Sequence, residues 1–248
     1  MLLEDKVAVV YGAGGAIGGA VARAFAADGA QVFRTGHEPA DGVAAVDALD
    51  ERALEEHLQS VIDEAGRVDI SFNAIGIPDT DIVGVPLVDL DAGQFALPIA
   101  TYATSYFLTA RLAARHMVPN RSGVIMRVTA LLARTGTPLV GGYGPAMAAV
   151  DALTRGLSAE LAPHGVRVVG LRPQAMPETD TIREAFEPRA AASGMTWEQW
   201  QELLASRNHA RRLMTLEEMA NVAAFMASDR ASGMTGTSVN LTLGSLDD

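Results

Sequence analysis

The chain has no cysteine, which excludes disulfides, thiolate nucleophiles and cysteine-based metal sites. It has no run of about eighteen apolar residues, and no basic segment precedes an apolar run at its N-terminus. These absences predict a soluble, cytoplasmic protein. Basic residues are scarce, 19 Lys and Arg against 30 Asp and Glu, for a formal charge of −11. That balance predicts no nucleic-acid or membrane partner, because both polyanions would be repelled. The five histidines (His37, His57, His116, His164, His209) include no metal-spaced pair on one helix, so no metal is expected. No Ser-His-Asp order stands out, and Ser105 and Ser158 lie inside helical patterns.

What is present begins at the N-terminus. The apolar run Lys6-Val-Ala-Val-Val-Tyr11 ends in Gly12-Ala-Gly-Gly-Ala-Ile-Gly18, and an Ala-rich stretch follows with Ile17, Val21, Ala24 and Phe25 on one face. A second apolar run starts at Gly29. The pattern reads as strand, glycine loop, helix, strand. The free N–H groups and positive dipole end of that helix would form an anion site. Gly12 permits the tight turn and Gly18 the close approach of helix to sheet.

Apolar runs then alternate with helical patterns. Strands are expected at Val43–Val46, Val68–Phe72, Gly123–Val128, Gly165–Leu171 and Thr237–Thr242. Helices are expected near Glu51–Ala65, Asp91–Met117, Gly144–Leu161 and Thr215–Ser228, the last opened by a Thr215/Glu218 capping box. Continuous rather than alternating apolar strands indicate a sheet covered on both faces. The expectation is one α/β domain over residues 1–248, a doubly wound parallel sheet with ligands at the carboxyl ends of its strands. The pattern breaks after Pro173. Residues 174–212 carry Phe186, Trp197 and Trp200 in two helical patches, read either as a lid over a substrate or as an insertion packed on the body.

The order and spacing of several stretches resemble the short-chain dehydrogenase/reductase family over the whole length. They are Gly12–Gly18, Asp47-Ala-Leu-Asp50, Asp69-Ile-Ser-Phe-Asn-Ala-Ile-Gly76, Phe107–Met117, Tyr143, Leu153–Val168, Glu217–Asp229 and Thr235-Gly236. The resemblance implies a Rossmann-like, seven-stranded parallel sheet with three helices on each face, and an NADP or NAD cofactor. It assigns the cofactor to Gly12, Gly14, Gly15, Ile17, Gly18, Gly36, His37, Asp47, Ala48, Asn73, Ala74 and Pro173. Asp47 would meet the adenine amino group and Asn73 the adenosine ribose. Two departures fall in the loop: Ala16 stands at the second glycine, and Tyr11 replaces a small Thr or Ser. The acidic residue of NAD-preferring relatives is Gly36 here. His37, if not simply a solvated loop residue, can donate to a 2′-phosphate, so the lean is toward NADP.

The family's chemistry rests on Asn, Ser, Tyr and Lys. Here Tyr143 matches the tyrosine, Ala130 the serine thirteen residues earlier, Met147 the lysine and Tyr102 the asparagine. A free tyrosine titrates near pH 10, and Met147 brings no ammonium to lower it. Tyr102 is expected either to offer a second phenol beside Tyr143 or to fill space. Arg172 would contact a ligand or pair with a nearby carboxylate.

Three readings follow. One is an atypical oxidoreductase that reduces a carbonyl or conjugated alkene of a small apolar substrate, with Tyr143 as proton donor. Another is a non-catalytic dinucleotide-binding homologue. The third is a non-redox cyclase or isomerase in the same pocket. The family's four-helix contact, carried here by Thr101–Met117 and Ala146–Leu161, implies a homodimer or homotetramer.

Overall fold

A computed structural model of the chain describes residues 1–77 and 82–247. Its centre is a seven-stranded parallel sheet in the order β3-β2-β1-β4-β5-β6-β7. The strands are β1 (Val7–Tyr11), β2 (Gln31–Gly36), β3 (Ala44–Ala45), β4 (Ile70–Asn73), β5 (Gly123–Val128), β6 (Val166–Pro173) and β7 (Thr237–Leu241). The strand order reverses between β1 and β4, the crevice where doubly wound sheets bind ligands. In the interior strands β1, β4 and β6 every residue but Arg167 is buried. Burial of both faces is why they read as unbroken apolar runs.

The helices are α1 (Ala16–Ala27), α2 (Glu51–Ala65), α3 (Ala92–Asn120), α4 (Tyr143–Leu161), α5 (Asp180–Ala192), α6 (Trp197–Ser206) and α7 (Leu216–Ala227). On one face α1 and α7 bury Val21, Phe25, Met219 and Ala223 against Val10, Phe72 and Met126. Phe25 meets Phe72 edge to face, with ring centroids 5.9 Å apart. On the other face α2, α3 and α4 bury Leu54, Leu58, Tyr106 and Val150 against Val9 and Ile125. Among the described residues the faces thus carry two and three helices, not three each. The link His37–Val43 between β2 and β3 holds no helix, and α5 packs on α6.

The expected capping box forms at α7, with Thr215 Oγ1 accepting from Glu218 N–H and the Glu218 carboxylate from Thr215 N–H. Several elements differ in extent from the apolar pattern, among them β4, which covers Ile70–Asn73, and β6, which runs on to Pro173. β3 shrinks to Ala44–Ala45, and α3 continues to Asn120, closed by Arg121 in a left-handed cap. α4 begins at Tyr143, one residue before the pattern suggests. No helix among the described residues is long and apolar enough to cross a membrane.

Candidate functional site

Strand register brings the carboxyl ends of three strands level: Tyr11 pairs with Thr35 on one side and Asn73 on the other. Between them runs the glycine loop. Gly12 sits at φ +75°, where a Cβ would also lie 2.6 Å from the Ala74 carbonyl oxygen, so only glycine fits. A Cβ on Gly18 would strike the Gly12 carbonyl. Gly14 is the opposite case, exposed and with nothing within 4 Å of a Cβ position. The loop is therefore pressed into the sheet at both ends and open between them.

That open face carries the donors. Helix α1 is N-capped by Gly15, with no side-chain hydrogen bond at the cap and no acidic residue in its first turn. Its first main-chain bond runs from Gly19 N–H to the Gly15 carbonyl. The N–H groups of Ala16, Ile17 and Gly18 precede it, so they have no acceptor within the helix. This donor set suits the pyrophosphate of a dinucleotide. Gly36 borders the same loop, a Cβ there lying 3.7 Å from Gly14 N and 3.2 Å from Val43 Cγ1. His37, next in sequence, is exposed. Asp47 is exposed as well, its carboxylate accepting from Leu49 N–H at 2.9 Å, with Ala48 between them. Pro173 lies buried at the end of β6.

Asn73 points inward. Its amide donates to Thr109 Oγ1 at 3.0 Å, and its side-chain oxygen accepts from Ile75 N–H and from Arg127. The side chain thus shapes the loop after β4, while Ala74, half-buried, holds to the sheet through its N–H to the Tyr11 carbonyl.

The proposed chemical residues lie across the crevice on α3, β5 and α4. Tyr143 opens α4, where Gly141 (φ +53°) and Gly142 turn the chain. A Cβ on Gly142 would strike the Phe95 carbonyl, so that glycine sets how closely α4 approaches α3. The approach brings Tyr102 and Tyr143 edge to face, with centroids 5.6 Å apart at 81°. The Tyr102 hydroxyl accepts from Ile77 N–H at 3.3 Å. Met147 is 1% exposed within the apolar cluster, and Ala130 is half-buried beside it. No cation therefore stands at the lysine position. The Thr129 hydroxyl is buried with no hydrogen-bond partner among the described residues.

A cation does stand nearby. Arg127, the one charged residue of β5, is 1% exposed. Its Nη1 donates to the Asn73 and Ile75 carbonyls at 3.1 Å each, and to the Asn73 amide oxygen. Its Nη2 reaches the Ile75 carbonyl as well. The guanidinium carbon lies 5.3 Å from the Tyr102 ring centroid. Burial pushes this guanidinium below the usual arginine range, and the phenols of Tyr102, Tyr143 and Tyr106 pull in the other direction. An arginine remains charged regardless. The signal in the sequence was a lone charge inside an apolar parallel strand.

Behind this corner Arg172 forms the ion pair left open as one of its two roles. Its Nη2 donates to Asp151 at 2.7 Å, and Ser238 Oγ donates to the other carboxylate oxygen at 2.7 Å. In the 174–212 segment, Trp200 packs on Phe186 with centroids 6.2 Å apart, tying α6 to α5. A Thr196/Gln199 capping box starts α6. A cavity of about 300 Å³ lined by Lys6, Asp69, Gly123 and Val166 opens at the amino ends of the strands, away from this site.

Comparison with known proteins agrees with this geometry. Residues 12–245 match the family model described as enoyl-(acyl carrier protein) reductase. The 3-oxoacyl-[acyl-carrier-protein] reductase FabG of Escherichia coli is 28% identical, the match covering 98% of each chain. The cis-4-hydroxycyclohexanecarboxylate dehydrogenase of Sinomonas cyclohexanicum is 31% identical, over 94% of this chain and 93% of that one. Among solved structures, NAD+-bound xylitol dehydrogenase superposes with a TM-score of 0.86 at 26% identity, over 98% of this chain and 99% of that chain. These relatives are oxidoreductases by name. With a family model spanning nearly its whole length and the sheet order and glycine loop described above, the chain belongs to the short-chain dehydrogenase/reductase family.

Proposed function

We propose that this chain is an NAD(P)H-dependent reductase acting on a carbonyl or conjugated alkene of a small apolar molecule. Residues 1–248 would form one domain, with 174–212 as its lid. The observation that carries the reading is the row of N–H groups at the start of α1 with no acceptor among the described residues, beside an open loop at the switch point of the sheet. When bound there, the reduced nicotinamide supplies the hydride. Ala16, Ile17 and Gly18 hold the pyrophosphate, and Asp47 and Ala48 meet the adenine. Asn73 contributes by fixing the loop through the Ile75 N–H and Arg127. Gly36 carries no carboxylate to repel a 2′-phosphate, and the exposed His37 is placed to donate to one, which favours NADP. Tyr143 gives the proton to the reduced oxygen or carbon. Ala130 offers no hydrogen bond to the substrate, so a substrate that is already a strong electrophile suits the site. The α3 and α4 surfaces, with Phe107 exposed on α3, would join copies into dimers or tetramers. Light scattering showing only monomer would remove that part.

The buried Met147 favours a second reading, a dinucleotide-binding member without turnover. NADPH oxidation across a carbonyl panel separates the two. Turnover that falls in Tyr143→Phe supports the reductase; binding with no turnover on any substrate supports the second reading.

A further inference from the structure

We propose that Arg127 is a positioning residue that supplies, from β5 beneath the Tyr102–Tyr143 pair, the positive charge that Met147 withholds, so that the Tyr143 phenol ionises readily. The inference rests on Tyr143 being the proton donor and adds how its acidity is set.

Four observations carry it. The guanidinium is buried and, among the described residues, no carboxylate pairs with it; its partners are two carbonyls and one amide oxygen. A buried cation held by neutral groups is costly, and that cost falls when an anion develops beside it. Its Nε has no hydrogen-bond partner among the described residues, so its charge is incompletely satisfied. It lies against one face of Tyr102, whose ring meets Tyr143 edge to face, so one ring links the charge to the Tyr143 phenol. Tyr143 is also the first residue of α4, where the positive end of the helix dipole favours an anion. Opposite charges brought together in a site sheltered from water favour the ionised form of each. A lysine at the position of Met147 would act from one turn further along α4. The bonds from Arg127 to the 73–75 loop add a second effect: one side chain both fixes the cofactor-side loop and charges the chemical corner.

The test is an absorbance titration of the phenols in the protein without dinucleotide. It can fail while cofactor binding succeeds, and the reverse. The chain has four tyrosines. Burial pushes Tyr11 up and holds Tyr106 at about 12, so both titrate late. The expected result is one phenol with a midpoint below about pH 9, at least about tenfold more acidic than a free tyrosine. Tyr143→Phe should abolish that step. Arg127→Gln, which keeps donors for the loop carbonyls without the charge, should move it above about pH 10. Arg127→Lys should keep it low. Should Arg127→Gln fail to fold, Arg127→Met takes its place, with folding checked by circular dichroism. Absence of an early phenol in the wild type overturns the proposal. So does a step that survives Tyr143→Phe, or one that stays in place in a folded neutral variant at position 127.

Discussion

Two corners of the same crevice are built from different materials. At the β1–α1 corner the groups proposed to face a ligand belong to the main chain: helix-end N–H groups and a loop held by Gly12 and Gly18. At the β5–α3–α4 corner they are side chains: Tyr102, Tyr143, Arg127 and the apolar Met147. A main-chain site persists as long as its glycines do, because any residue but proline supplies an N–H. A side-chain site changes its chemistry with each substitution. The first corner holds the glycines its backbone requires, and the second holds an apolar Met147 and a buried arginine beside its phenols. The second corner is closely packed: Met147 lies within the core, and Gly142 lets α4 approach α3 at Phe95. An anion-binding loop therefore foretells a ligand here more securely than it foretells a reaction.

Gly12→Val should break the first corner alone and produce the largest effect. It combines a disallowed φ with a clash at the Ala74 carbonyl, for a loss of about 3 kcal/mol or more. Chemical denaturation would measure that loss, and NADPH should then bind to no detectable extent. Asp151→Ala strikes behind the second corner by leaving the Arg172 charge buried beside Ser238. Denaturation should show a loss of about 3–5 kcal/mol, with the midpoint change and an unaltered m-value marking a stability effect. Tyr143→Phe should lower turnover about a hundredfold, the smaller end of what a positioned acid contributes, and leave the dissociation constant for NADPH unchanged. An equal loss of binding would join the two corners into one.

The smallest effect belongs to a control outside both. Arg212 and the Thr215 N–H hold the Glu218 carboxyl at about 2, below its ordinary value. A folded value lowered in this way stabilises the protein above the unfolded carboxyl value of about 4.3. That contribution disappears as the pH falls through about 2. The pair is exposed at the surface, so screening leaves under about 1 kcal/mol. Thermal melts of the wild type and Glu218→Gln should converge on acidification, with cofactor affinity the same in both at neutral pH.

The same division explains what could be read from the residues alone. Strands buried on both faces announce themselves as apolar runs, and Gly12 and Gly18 sit at their expected places because backbone geometry demands glycine there. The Thr215/Glu218 box is a local bond, visible within four residues. Arg127 was harder. Its meaning depends on Asn73 across one strand and on Tyr102 on a helix, neither of which is near in sequence. Nor do the residues near Asn73 in sequence show that Arg127 and Thr109 bond its amide. The exchange of a third helix for the short link His37–Val43 has a simpler reason. The third helix was expected from the family resemblance alone, and the link, with Pro39 and Gly42, carries no helical pattern of its own.

The most direct measurement is the thermal shift of the wild-type chain with NADPH and with NADH. At a hundredfold excess over the dissociation constant, ligation adds about 2.7 kcal/mol to the folded state, a rise in melting temperature of roughly 5–11 °C for a domain of this size. A rise with either dinucleotide, lost in Gly12→Val, is the predicted result. No rise with either at millimolar concentration would contradict the account.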